Sequence, residues 1–268
     1  MPKIKTNGIN IYYEVHGSGE PLVLIAGLGY SLWMWHRMLP FLAQGCQVIV
    51  FDNRGVSQTD KPQGPYSAQL LADDTAGLLR SLGISRAAIM GHSMGGFIAQ
   101  AMALSYPEMV SKLILSATNF GGPHHIPVTP EAFAVLADVT TDPVERFRRG
   151  LAVSTAPGFA EQNPAIIQQW MEFRAQNPIE PAPYQAQMAI GLGLLSEETC
   201  FEKRLNQVEA PVLILFGAHD KVVPPDNADL LAQQIPNHQV HILPDAGHFF
   251  PMEKPAEAAQ VILEFLRS

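Results

Sequence analysis

Charge is scarce in this chain. Asp, Glu, Lys and Arg make up 16% of its 268 residues, and the balance is acidic, at -8. Without a basic excess there is no cationic stripe to grip nucleic acid or an anionic bilayer, which argues against both as partners. Cysteine is rarer still. Cys46 and Cys200 stand far apart in sequence, which suits reduced thiols and a cytoplasmic protein better than a disulfide-stapled one. The stretch Met1 to Gly8 has no apolar run of signal-peptide length. Nowhere do apolar residues approach the roughly 20 that a membrane span needs.

Cofactor signatures are also missing. Gly27-Leu28-Gly29 lacks the third glycine and the downstream acid of a dinucleotide loop. His124-His125 has no carboxylate at ligand spacing, so it is a poor metal site. Neither a cofactor nor a metal is expected.

What the chain does have is apolar bulk, 47% of its residues, enough for one α/β domain with an insertion. Ile9 to Val15 alternates as a strand does. Leu22 to Ile25 and Val48 to Phe51 are apolar on both faces, as central strands covered by helices must be, Ala87 to Met90 reads as a buried strand, and Lys112 to Ser116 as another strand. Between them, Trp33 to Leu42 and Ser67 to Leu82 read as helices, the second capped by Ser67 and ended by Gly83. Phe97 to Leu104 is a third helix. Such alternation implies a doubly wound, mostly parallel sheet.

The alternation stops near Asn119 and resumes near Asn206. Pro130 to Asp138, Val144 to Val153, Pro164 to Arg174 and Tyr184 to Leu194 are helical patches broken by proline and glycine. We read 119–206 as a helical cap inserted before the last two strands, and 1–118 with 207–268 as the core. An insertion between two strands should lie over their carboxyl ends, where α/β ligands bind. Val212 to Phe216 and Gln239 to Leu243 are the last strands, with helices over Asp226 to Ile235 and Pro255 to Leu266.

The chemistry centres on Gly91-His92-Ser93-Met94-Gly95, set between an apolar strand and a helix. A serine at the apex of so sharp a turn holds strained backbone, and glycine two residues to either side removes the crowding. The following helix offers free N–H groups to a developing negative charge. Downstream, Asp220 follows one of the last strands and His248 the other, on the same rim as Ser93.

With the nucleophile-elbow pattern, the order Ser93, Asp220, His248 and the Gly247-His248 loop, the chain resembles the α/β-hydrolase family over essentially its full length. The resemblance implies Ser93 as nucleophile, His248 as general base and acid, and Asp220 as the carboxylate orienting His248. It places the oxyanion donors on the backbone of Met94 and Leu28. Many relatives carry His-Gly ahead of that second donor, where this chain has Ala26-Gly27. Ala117 to Gly122 offers no carboxylate, which strengthens Asp220 as the acid. His219 should diverge from its neighbour Asp220, Asp245 reads as a turn former, and His92 supports rather than reacts. Trp33, Phe120 and Phe249 are the candidate substrate contacts.

Serine at position 93 sets aside dehalogenases and epoxide hydrolases of this fold. His92 and Gly29 stand where carbon–carbon hydrolases tend to have asparagine and haloperoxidases proline. Asp52-Asn53-Arg54-Gly55 followed by Pro62 to Ser67 is similar to carboxylesterases and 3-oxoadipate enol-lactonases, with Ser57 in place of a common glycine. The first expectation is therefore hydrolysis of carboxylic esters with small or medium, largely apolar acyl groups. A second is lactone or enol-lactone hydrolysis, which would need one of Arg146, Arg148, Arg149 or Arg174 in the pocket. A third is a ligand receptor with slow turnover. The oligomeric state is left open.

Overall fold

A computed structural model describes residues 2–268. Eight strands form one sheet in the order β1-β2-β4-β3-β5-β6-β7-β8. They are β1 (Lys3–Thr6), β2 (Ile9–His16), β3 (Pro21–Ile25), β4 (Gln47–Phe51), β5 (Ala87–His92), β6 (Val110–Ser116), β7 (Val212–Gly217) and β8 (His238–Leu243). Strands β3 to β8 pair in parallel, whereas β1–β2 and β2–β4 are antiparallel. The two-sided apolar runs do become central strands: Leu22 to Ile25, Val48 to Phe51 and Ile89 to Met90 are at or near zero exposure. A mostly parallel sheet with helices on its faces is the architecture that the resemblance implies.

After β3 the chain builds β4 on one side, then returns to lay β5 on the other. The loops leaving β3 and β5 therefore run apart at a switch point, which opens a crevice at the carboxyl ends of those strands. Ser93 and the Ala26 to Gly29 loop flank it.

The helices are α1 (Leu39–Leu42), α2 (Ala68–Ser81), α3 (Met94–Ser105), α4 (Pro130–Leu136), α5 (Pro143–Ser154), α6 (Phe159–Gln162), α7 (Pro164–Gln176), α8 (Pro181–Leu192), α9 (Asn227–Gln234), α10 (Phe250–Glu253) and α11 (Pro255–Arg267). Ser67 caps α2 through its side chain, which accepts from Leu70 N, and Gly83 follows that helix at φ +72°. Helices α4 to α8 all fall between β6 and β7. No helix among the described residues is long and apolar enough to cross a membrane.

Two elements differ from the sequence reading, and a third shows its place in the sheet. The Trp33 to Leu42 segment is not one helix: Leu32–Trp35 is a 3-10 turn, and α1 starts afresh at Leu39. Pro40 tolerates only a first-turn position, so no helix can run through it. Strand β1 was not foreseen, although Asn7 and Gly8, at φ 46° and 78°, form the two-residue turn that Asn-Gly signals. Strand β8, expected as a strand, forms the sheet edge and is exposed along most of its length.

Candidate active site

Ser93 sits between β5 and α3 at φ 56°, ψ -120°, a conformation costly for any residue with a side chain. The flanking glycines allow it, though the crowding they relieve is with each other and with the end of β3 rather than with the serine. A Cβ on Gly91 would stand 2.1 Å from Gly95 O, and one on Gly95 would stand 2.2 Å from Ile25 O at the end of β3. Gly95 thus lets α3 press against the loop that follows β3. A Cβ on Gly27 in that loop would stand 3.2 Å from Ser93 Cβ, so the loop borders the serine directly.

Asp220 and His248 come together. His248 Nδ1 lies 2.7 Å from Asp220 Oδ2, and both side chains are buried. The other carboxylate oxygen, Oδ1, accepts from Val222 N and Val223 N, each at 2.8 Å. With both oxygens occupied, the carboxylate cannot swing away from the imidazole. Its neighbour His219 is exposed, as is Asp245.

Ser93 and His248 line the same cavity of about 100 Å³. No hydrogen bond joins the hydroxyl to the imidazole, a contact of a kind that often tightens only in the reacting complex. His92 also lines the cavity, 4.7 Å ring to ring from His248. Its Nδ1 is paired with Ser116 Oγ at 2.8 Å. Burial, helped by the nearby His248, holds His92 well below the usual histidine range, so it stays neutral.

Leu28 lines the cavity, whereas Met94 does not: its side chain is buried and its backbone opens α3. Among the described residues neither backbone N–H is given to a protein acceptor. Asn53, read from sequence only as part of a polar loop, donates from Nδ2 to Ala26 O at 3.0 Å and so ties down the loop that lacks the relatives' histidine.

Of the three candidate substrate contacts, only Phe249 lines the cavity. Trp33 stacks on Phe173 of α7 at 5.6 Å and packs edge-on against Phe147 of α5. It therefore fastens those helices to the core instead of meeting a ligand. Phe120 is 1% exposed within the main core, away from the cavity. Tyr30, Met34, Ile179, Tyr184 and Val222, not singled out from the sequence, also line the cavity, together with residues of α4 and α5.

Two of the four candidate arginines reach the site. Arg148 pairs with Glu145 and Arg149 with Asp138, both outside the cavity. Arg146 and Arg174 line it, are buried, and have no carboxylate partner among the described residues. Arg146 lies 4.1 Å from the centre of the Tyr184 ring, and Arg174 lies 4.6 Å from that of Tyr30. Burial works against the charge of Arg174, and its Nε has no acceptor. The paired histidines separate: His124 meets Glu202, and His125 bonds to Gly122 O.

A family model described as the α/β hydrolase fold matches residues 20–255. A Mycobacterium tuberculosis protein whose name carries the words non-heme bromoperoxidase is 33% identical over 97% of this chain and 98% of its own. The 2-hydroxy-6-oxononadienedioate/2-hydroxy-6-oxononatrienedioate hydrolase of Burkholderia vietnamiensis is 32% identical over 97% of this chain and 91% of its own. A thermophilic esterase from Thermogutta terrifontis, solved with malate bound, shares 30% identity at a TM-score of 0.81, covering 100% of this chain and 98% of that one.

Proposed function

The chain belongs to the α/β-hydrolase family, and we propose that within it the protein is a serine hydrolase. Its substrates are carboxylic esters with small or medium, largely apolar acyl groups. Residues 1–118 and 207–268 act as the catalytic core and 119–206 as the cap. The observation that carries this reading is the His248–Asp220 pair, fixed by the two amides on Asp220 and opening on the cavity that Ser93 also lines.

The chemistry follows from those groups. His248 Nε2 takes the proton of the Ser93 hydroxyl as its oxygen attacks the ester carbonyl. Asp220 keeps the imidazole in the tautomer that leaves Nε2 free to accept, then stabilises the imidazolium. Negative charge gathering on the carbonyl oxygen meets the N–H groups of Leu28 and Met94, which have no protein acceptor to give up. The imidazolium returns its proton to the departing alkoxide, leaving an acyl group on Ser93. Water, deprotonated by the same imidazole, then releases the acid. Neutral His92 adds no competing positive charge beside His248.

The expected outcome is turnover of short p-nitrophenyl esters together with fluorophosphonate labelling, both lost in Ser93→Ala. A folded wild-type sample that neither turns over nor labels refutes the reading.

A second reading is favoured by Arg146 and Arg174. A buried guanidinium without a counter-charge is costly, and a carboxylate brought in by the substrate would relieve that cost. Lactones or esters bearing a carboxylate would supply it. The Thermogutta terrifontis esterase solved with malate, a dicarboxylate, agrees with that chemistry. Matched neutral and carboxylate-bearing substrates separate the readings. Under the second, Arg146→Gln lowers kcat/KM for the anionic member by about tenfold or more and spares the neutral one, as loss of a charged hydrogen bond would.

A further inference from the structure

Four successive peptide groups carry the loop after β3, and each is held by a different partner. Ala26 O accepts from Asn53 Nδ2, and Gly27 O accepts from Tyr30 N at 3.2 Å. The next two are held by helices of the segment between β6 and β7. Gly29 N donates to Gln187 Oε1 of α8 at 2.9 Å, and Gly29 O accepts from Arg174 Nη1 of α7 at 2.8 Å.

Gln187 is fully buried yet absent from the cavity wall. A buried side-chain amide is costly unless both ends are satisfied. Here neither end turns back on its own helix. Oε1 takes the Gly29 N–H, and Nε2 donates to Arg54 O at 3.0 Å in the loop after β4. The loop also passes tightly beneath α8. Gly29 is at φ +72°, and a Cβ there would meet the Tyr184 ring at 3.0 Å.

We propose that Gln187 is a positioning residue of the oxyanion hole. By fixing the Leu28–Gly29 peptide, next to the Gly27–Leu28 peptide that carries the Leu28 N–H and is tied at Gly27 O to Tyr30 N, it limits how far that N–H can turn, and so makes the cap a supplier of catalytic geometry. The proposal rests on Leu28 as an oxyanion donor. The physical logic is one of precision: a donor turned away from the developing oxyanion is worth little, and losing one costs about 10²–10³ in turnover. A loosened donor should cost less than a deleted one.

The test uses the full-length protein with Gln187→Met and Gln187→Glu. Methionine keeps the length and removes both bonds. The expected result is a fall in kcat of about 10- to 100-fold with KM within threefold of wild type. The affinity of a trifluoromethyl ketone, whose hemiketal oxygen occupies the hole, should fall in parallel with kcat. In Gln187→Glu, a protonated carboxyl reproduces both bonds and an ionised one cannot donate to Arg54 O. Its kcat relative to wild type should therefore rise as pH falls. Full kcat in Gln187→Met, or a loss of kcat without loss of ketone affinity, overturns the proposal while leaving the hydrolase reading intact. A wild type without Ser93-dependent turnover instead refutes the oxyanion assignment, and this proposal with it.

Discussion

The sheet and the helices between β6 and β7 meet solvent and polarity in opposite ways. Strands β3, β4 and β5 bury apolar side chains on both faces, and much of their polar support is paired. Arg54 is matched by Asp74 through bonds of 2.8 and 2.6 Å, with both side chains nearly inaccessible. The segment between β6 and β7 leaves Phe133, Leu192 and Leu195 more than half exposed, yet buries Arg146, Arg174 and Gln187. Of these three, Arg174 and Gln187 spend their hydrogen bonds on loops of the sheet, while Arg146 keeps its bond within the segment, on Asp138 O. One region is built for stability. The other accepts poor packing outside in order to place polar groups inside.

That contrast predicts which property each substitution moves. Ser93→Ala should abolish turnover, by on the order of 10⁴–10⁶ in kcat, without lowering the melting temperature. A loss of stability alongside activity would blur the distinction between chemistry and scaffold. Asp74→Asn strands a buried guanidinium, so it should cost about 3–5 kcal/mol in urea unfolding while the folded fraction keeps its kcat.

Glu253→Gln probes the seam between the regions, because this buried carboxyl accepts from Gly247 N beside His248 and from Ala156 N beyond α5. Burial, with Asp220 nearby, pushes Glu253 up from its ordinary 4.5 to about 7. The folded state therefore keeps a proton that the unfolded chain has lost, and this group's contribution to stability falls as pH rises from 4.5 through 7. Glu253→Gln should flatten that slope in unfolding free energy measured across the window. An unchanged slope would show that the seam does not titrate there.

The parallel core strands, and the placing of Ser93, Asp220 and His248 in the loops that follow them, were legible because each rests on a strong local pattern. Two-sided apolar runs admit few positions but a central parallel strand, and a serine framed by Gly91 and Gly95 after such a run leaves one turn geometry. Long-range polar contacts were not legible. Asn53 and Gln187 serve the loop after β3 from the loop after β4 and from α8, and neither spacing nor periodicity encodes those meetings. The same blindness explains Trp33 and Phe120: an aromatic residue near a site in sequence packs wherever the most apolar area can be buried. Ser57 shows the reverse case. Its φ of 44° explains why glycine would sit easily there, and its hydroxyl meets Asn177 Oδ1 at 3.1 Å. Nor do His92 and Gly29 decide between hydrolase types, since relatives named for haloperoxidase and carbon–carbon bond chemistry stand at 33% and 32% identity.

The backbone at Ser93 puts durability and reactivity in opposition at a single codon. Glycine would relax the left-handed conformation at that site and lose the proposed nucleophile in the same step. A library sorted for heat resistance alone would drift toward an inert protein there, so any directed-evolution campaign on this scaffold must screen for turnover in every round.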